Sequence, residues 1–451
     1  MRDTLITLIV FGSLPFILKR PYIGVLMWVW VSVMNPHRLS WDFAYSFPFA
    51  AIVAGTTLIA LLVTKEPKKL PATPIVVILF AFTAWMVVTT IFSMWPDESL
   101  VMLNRVWKIM LMTVVTMMLI KTKEQIHLLI WALVLSIGFF GTKGGLFTLL
   151  SGGNNIVWGP PGSYIEGNNE VALAFITSIP LMFYLYHMEA KKWVRWGLAA
   201  AMVLCAFAAL GSYSRGALVG IVAMVFFLWL KSPKKMVTGA ILVMLIPVAF
   251  MFMPEQWFTR MDSINTYEQD ASAMGRINAW WMAYKLALDR PLVGGGFEIY
   301  NRIAFGLYAP VPDDVHAAHS IYFQALGEHG FVGLGLYILL AILTWRKASW
   351  IVRTTKGWDE LKWAGSLARM IQVSMVGFAV GGAFLSLLYY DVPYYLIAII
   401  VCTGALVEKA LKERQLAARA VPAGSLAAGP GGGHALANQA GTAPRKGAHA
   451  A

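Results

Sequence analysis

The sequence predicts an all-α polytopic membrane protein with about 12 transmembrane helices, because spans of about 20 apolar residues fill it. Of its 451 residues, 58% are hydrophobic and only 13% are charged, whereas a soluble domain carries about 25% charged residues. The mean hydropathy is +0.65. Long apolar runs recur from one end of the chain to the other and leave no room for a large soluble domain.

The apolar runs locate the candidate spans. They lie near residues 4–18, 21–34, 47–64, 72–95, 98–120, 126–150, 168–187, 193–212, 213–231, 236–253, 319–345, 364–388 and 394–411. The first two runs are short, so they form either two crossings or a shallow hairpin. We therefore expect the following order: N-terminal transmembrane helices (1–190), further spans (191–253), a loop (254–318), C-terminal transmembrane helices (319–415) and a disordered tail rich in Ala, Gly and Pro (416–451).

Basic clusters between the spans predict the orientation of the chain. Cytoplasmic loops of membrane proteins are enriched in Lys and Arg, and such clusters alternate here with loops that lack them: Lys65/Lys68/Lys69, Lys121/Lys123, Lys191/Lys192/Arg195, Lys231/Lys234/Lys235, Arg346/Lys347/Arg353/Lys356 and Lys409/Lys412/Arg414. This pattern explains the formal net charge of +13, so we expect no nucleic-acid partner. The 254–318 loop then lies outside the cytoplasm, in the periplasm of a Gram-negative cell.

The 254–318 loop contains one helical pattern. Apolar and aromatic residues recur there every three or four positions: Ile277, Trp280, Trp281, Tyr284 and Leu288. A helix with this spacing has one apolar face. We expect it to begin at a cap at Ser272 and to end before Pro291. It would lie on the outer surface of the membrane or dip into it.

Basic residues in the predicted outer half indicate an anion site. A cation inside a span costs about 3 kcal/mol and therefore usually faces a polar cavity. Arg215 follows hydroxyl residues at the outer end of two spans, and its guanidinium can bind two phosphate oxygens at once. Arg276 is expected in the first turn of the loop helix, where the helix dipole favours phosphate. Arg105, inside the 98–120 run, is a further candidate substrate contact.

Two more basic residues have alternative interpretations. Lys143 is flanked by Gly138, Gly141, Gly144 and Gly145, a pattern typical of a broken helix that lines a cavity. We therefore expect Lys143 to contact the substrate. Arg290 is either another substrate contact or a solvated loop residue.

His319 is the candidate catalytic residue. A neutral imidazole can accept a proton from a hydroxyl near neutral pH. On a helix that begins near Ala318, His319 would share a face with Tyr322, a candidate substrate contact, whereas Glu328 would lie on the opposite face. The alternative for His319 is a capping histidine. A metal site made from Asp313, Asp314, His316 and His319 is a second alternative, although no further acidic cluster completes its coordination shell.

Several of these residues resemble a known family as an ordered set. The motifs are Ser214-Arg215-Gly216-Ala217-Leu218, Arg276 with Trp280, Arg290-Pro291-Leu292-Val293-Gly294-Gly295-Gly296, and His319-Ser320-Ile321-Tyr322 with Leu326, Glu328 and Gly330. Their order and spacing resemble the O-antigen ligase and polymerase superfamily over residues 200–340. Met34-Asn35-Pro36-His37-Arg38 and Gly167-Asn168-Asn169-Glu170 are similar to its branch of O-glycosylation ligases associated with exosortase systems.

The resemblance implies a glycosyltransferase of the GT-C type in the bacterial inner membrane. Its donor would be a glycan on undecaprenyl diphosphate, and its acceptor a sugar hydroxyl of lipid A–core at the periplasmic face. It would need no cofactor and no metal, with His319 as the base and Arg215 and Arg276 on the diphosphate. An O-antigen polymerase, a protein O-oligosaccharyltransferase and a transporter of lipid-linked glycans are the alternatives.

Overall fold

The computed structural model describes residues 1–65, 67–232, 234–262, 268 and 270–420. The regular secondary structure of this part of the chain is entirely helical, which confirms the predicted class. The α-helices are α1 (Arg2–Lys19), α2 (Tyr22–Val29), α3 (Phe49–Val63), α4 (Pro74–Ile91), α5 (Pro96–Leu119), α6 (Lys123–Leu150), α7 (Asn168–Met188), α8 (Lys192–Leu210), α9 (Arg215–Lys231), α10 (Lys235–Met251), α11 (Glu255–Asp262), α12 (Ala271–Asp289), α13 (Arg302–Tyr308), α14 (Ile321–Thr354), α15 (Lys362–Gly381) and α16 (Asp391–Ala420).

The chain is a multi-pass membrane protein. Within the described residues, eight helices are long and apolar enough to cross a bilayer, namely α4 to α8 and α14 to α16. This number is below the expected 12 because α2, α3, α9 and α10 have 17 residues or fewer. Helix α1 carries three charged residues within its 18 positions.

The chain divides into two compact units, residues 1–407 and 408–451. In the first unit, α6 packs against α7 and α8, and α15 packs against α7, α9 and α14. In the second unit, the described residues are helical up to Ala420. The first residues of the predicted tail are therefore helical, and its remainder lies outside the described residues.

The glycines of α6 are packing positions. Helix α6 is continuous from Lys123 to Leu150, so the prediction of a broken helix is wrong. A Cβ atom at Gly145 would lie 2.0 Å from the carbonyl oxygen of Leu204 on α8, and one at Gly141 would lie 2.2 Å from Cys205 Sγ. The absence of side chains on this face lets the two helices approach closely.

Replacement of Gly145 by alanine should destabilise the protein by about 1–3 kcal/mol, because the new methyl group would overpack the contact between α6 and α8. Gly55 on α3 is the matched control, since no atom lies within 4 Å of a Cβ built there. Thermal unfolding in detergent should show a lower Tm for Gly145→Ala than for Gly55→Ala. Equal Tm values would contradict the close packing of these helices.

Helix α12 begins earlier than predicted, and helix α14 begins later. Helix α12 is capped by Asp270, whose carboxylate accepts a hydrogen bond from the Ala273 amide at 3.0 Å, so the predicted cap at Ser272 is wrong. Helix α14 begins at Ile321, so His319 precedes the helix and does not share a helical face with Tyr322. His319 has φ = 43°, in the left-handed region that few non-glycine residues adopt.

The Gly294–Gly296 segment is a tight turn. Gly294 and Gly296 have φ values of 62° and 84°, which glycine adopts without steric cost. The Gly295 amide donates to the Gly327 carbonyl at 2.9 Å. The turn is therefore held against α14, three residues before the backbone of that helix kinks at Gly330.

Candidate functional site

The candidate site is assembled from connections at one end of the helical bundle. Asn168 Nδ2 at the start of α7 donates to the Ser212 carbonyl between α8 and α9 at 2.7 Å. The amide of His319 donates to Ser386 Oγ, between α15 and α16, at 2.9 Å. These contacts hold the segments around Arg215 and His319 in fixed positions.

Arg215 is the first residue of α9 and forms an ion pair with Asp270. Its Nη1 lies 2.5 Å from Asp270 Oδ2, and the two side chains are only 12% and 18% exposed. The hydrogen bond from Arg215 lowers the pKa of Asp270 below its usual range, against the opposing effect of burial. Arg215 therefore presents a guanidinium of fixed orientation at the start of two helices.

Arg276 is half-buried and lies near several charges. It is the sixth residue of α12, so it is in the second turn and not in the predicted first turn. Burial lowers its pKa, as does the charge of Arg215, whereas the carboxylates of Asp270 and Glu170 oppose this shift. Its Nε is buried and has no hydrogen-bond partner among the described residues. A bound anion would therefore offset the positive charges of Arg276 and Arg215.

His319 lies within electrostatic range of Arg276. Burial, then the charges of Arg276 and His316, lower the pKa of His319 to about 4. The imidazole is consequently neutral at physiological pH, as a proton acceptor must be. Its Nδ1 is buried and finds no hydrogen-bond partner within the described ranges. Arg276 thus lies within electrostatic range of both Arg215 and His319, and the three residues share one region.

Aromatic and amide contacts fix His319 relative to α12. Trp280 Nε1 donates to the Ala318 carbonyl at 2.7 Å, and its ring stacks on Phe323 with 5.0 Å between centroids. Asn278 Nδ2 donates to the Val311 carbonyl at 2.8 Å. Because the helix that carries Arg276 also holds the residue before His319, the two side chains are positioned together.

The predicted metal alternative has little support in the geometry. His316 Nδ1 lies 2.9 Å from Asp314 Oδ1, and its ring covers Gly275, where a Cβ would lie 2.6 Å from Nδ1. In the part of the chain that the structure describes, no three His, Cys, Asp or Glu side chains are grouped as metal ligands.

Three other candidate substrate contacts have different surroundings. Tyr322 Oη donates to the Ala379 carbonyl of α15 at 2.9 Å. The guanidinium of Arg290 donates a hydrogen bond to the Phe92 carbonyl at the end of α4. Lys143 is exposed and lies on the opposite side of α6 from the packed glycines. None of these contacts connects Tyr322, Arg290 or Lys143 to Arg276.

Arg105 lines a separate cavity of about 410 Å³. Two carboxylates, from Glu98 and Glu298, line the same cavity. Its surroundings therefore differ from those of Arg215 and Arg276.

The sequence interpretation missed Asp270, Glu170 and Ser386. Asp270 could have been found, since Asp is a preferred N-cap residue just before a helical pattern. Glu170 belongs to the quoted Gly167–Glu170 motif, but nothing in the pattern indicated a role near Arg276. No sequence signal joins Ser386 to His319, because 67 positions separate them.

Glu328 is buried and accepts a hydrogen bond from Tyr389. Tyr389 lies on the connection between α15 and α16, so Glu328 pairs with a residue of that connection.

Comparisons with known proteins divide the chain into two parts. Residues 1–190 match a family of unknown function (DUF5935), and residues 199–338 match the family described as O-antigen ligase. No curated protein matches the chain. The second match includes Arg215, Arg276 and His319. The match over residues 199–338 supports the resemblance of this part of the chain to the O-antigen ligase and polymerase superfamily.

Proposed function

We propose that the protein is a lipid-linked oligosaccharide ligase. It transfers a glycan from undecaprenyl diphosphate to a sugar hydroxyl of lipid A–core at the periplasmic face of the bacterial inner membrane. The observation that carries this proposal is the position of Arg276 within the segment that matches O-antigen ligases. Arg276 lies near enough to Arg215 for that charge to lower its pKa, and near enough to His319 to lower the pKa of the histidine.

In the proposed reaction, His319 accepts the proton of the acceptor hydroxyl. The hydroxyl oxygen then attacks the anomeric carbon from the side opposite the diphosphate. The bond from this carbon to the diphosphate oxygen breaks, and the leaving group departs as polyprenyl diphosphate. The anomeric configuration is inverted. Because a diphosphate is a stable anion, the departing oxygen requires no proton from the protein.

Arg215 and Arg276 are proposed to bind the diphosphate. Guanidinium groups that are already oriented stabilise the negative charge that develops on the leaving group. Asp270 holds Arg215 in position. Arg276 lowers the pKa of His319, and a bound diphosphate would offset this effect. The donor would thus make the base stronger when the acceptor has to be deprotonated.

The proposed donor site is compatible with more than one acceptor. An O-antigen polymerase or a protein O-oligosaccharyltransferase would share the donor site and differ only in what His319 deprotonates. A transporter of lipid-linked glycans would need polar groups along the whole crossing path, whereas Arg215, Arg276 and His319 are gathered at one end of the bundle. This arrangement favours an enzyme.

Purified protein should transfer glycan from the polyprenyl diphosphate donor to lipid A–core in the presence of EDTA, because the proposed groups are all side chains. Separate reactions with lipid A–core, free glycan repeat and protein as acceptors, followed by gel and mass analysis, identify the acceptor. Activity that is lost with EDTA and restored by a divalent ion would contradict the proposed mechanism.

A further inference from the structure

The cavity that contains Arg105 lies between the start of α5 and the segment that follows Gly296. Its volume of about 410 Å³ is within the range of small-molecule sites, about 300–1,000 Å³. Its wall combines aromatic, acidic, basic and amide side chains: Trp95, Glu98, Arg105, Glu298, Tyr300 and Asn301.

The wall that carries Glu298 is held rigidly. Ser99 Oγ donates to the Phe297 carbonyl at 3.0 Å, and the Met94 amide donates to the Gly295 carbonyl at 2.9 Å. Glu298 itself has φ = 60°, a conformation that is unfavourable for a residue other than glycine and that often occurs at functional sites. A strained backbone therefore holds this carboxylate at the cavity.

A buried hydroxyl lies near the same charges. Burial raises the pKa of Tyr164, as do the charges of Asp391 and Glu298, whereas Arg105 lowers it. Tyr164 Oη is buried and has no hydrogen-bond partner among the residues that the structure describes. This hydroxyl, which does not line the cavity itself, thus has unused hydrogen-bonding capacity, which is unusual for a buried group in a folded protein.

The charges of this cavity do not suit a diphosphate. The carboxylates of Glu98 and Glu298 outnumber the guanidinium of Arg105, so a doubly negative ligand would be repelled. A neutral sugar has the complementary chemistry. Its hydroxyl groups can donate to the carboxylates and accept from Arg105, and its C–H faces can pack on the rings of Trp95 and Tyr300.

We propose that this cavity binds a neutral sugar unit of a glycan substrate, and that Arg105 contacts this sugar and not the diphosphate. The proposal rests on the proposed glycan transfer.

Contacts connect the cavity to the start of α14, because Tyr300 Oη donates to the Phe323 carbonyl at 3.2 Å. Phe323 in turn stacks on Trp280, which holds the residue before His319. The sugar belongs either to the acceptor or to the donor glycan.

The variants Glu298→Gln and Arg105→Gln test this assignment. Asp313→Asn and Arg302→Gln are matched controls, since both residues are exposed and neither lines the cavity. Donor and acceptor are extracted from cells that lack the protein, and KM is measured for each in turn. Because a hydrogen bond to a charged group is lost, each test variant should raise one KM by about 10-fold to 100-fold, with kcat little changed. A raised acceptor KM assigns the cavity to the acceptor, and a raised donor KM assigns it to the donor glycan.

A binding measurement separates this proposal from the proposed activity. Saturation-transfer NMR is recorded with the full chain and with two lipid-free probes, the core oligosaccharide and the glycan released from the donor. The signal of one probe should persist in His319→Asn and weaken in Glu298→Gln, whether or not transfer is observed. Test variants that match their controls in both KM and NMR signal would overturn the proposal. So would an Arg105→Gln variant that loses only its affinity for inorganic diphosphate.

Discussion

Replacement of His319 by asparagine should lower kcat for glycan transfer by about 10²-fold to 10⁴-fold, the contribution typical of a general base. The imidazole is neutral because burial and Arg276 lower its pKa to about 4. Its Nδ1 has no hydrogen-bond partner among the described residues, so this nitrogen can accept a proton. An asparagine amide cannot accept the proton. Initial rates with saturating donor and lipid A–core measure this effect.

Asparagine is preferable to alanine at this position because of the backbone. His319 has φ = 43°, and asparagine tolerates this region better than other non-glycine residues do. His319→Asn should therefore keep the fold and the hydrogen bond from its amide to Ser386. The control is His187→Asn, an exposed position at the opposite end of α7 from Glu170. A kcat for His319→Asn equal to that of the control would exclude His319 as the base.

The helical class was predictable from the sequence because the bilayer imposes a length on each apolar run. The eight long spans coincide with predicted runs. The glycines of α6 were misinterpreted, because glycine is compatible both with an unwound helix and with close helix packing. Only the position of Leu204 on α8 distinguishes the two.

The residues of the candidate site were predictable by type, and their contacts were not. Arg215, Arg276 and His319 were identified because their charges or their chemistry are unusual in an apolar chain. The start of α14 was placed too early, because the contacts of Ala318 with Trp280 and of His319 with Ser386 join segments that are distant in sequence. Arg105 was grouped with the other cations by its sign alone, whereas Glu98 and Glu298 share its cavity.

Replacement of Arg276 by glutamine should lower kcat by about 10²-fold to 10³-fold, the loss typical of removing one group that stabilises a developing anion. The same change should move the acidic limb of the pH profile of kcat/KM to higher pH. Arg276 lowers the pKa of His319, so the histidine of the variant is protonated, and inactive as a base, at a higher pH than in the wild type. A stopped assay between pH 4 and pH 8 measures both effects.

Arg276→Lys separates the two roles of this residue. Lysine keeps the positive charge but cannot form the two-point contact of a guanidinium, so activity should fall while the acidic limb stays in place. In the wild type, a bound diphosphate should offset the charge of Arg276. The acidic limb for kcat, which reports the donor-bound enzyme, should therefore lie at higher pH than the limb for kcat/KM of the donor, which reports the free enzyme. If the acidic limb does not move in Arg276→Gln, or moves equally in both variants, Arg276 does not control the protonation of His319. The proposed coupling between donor binding and base strength is then wrong.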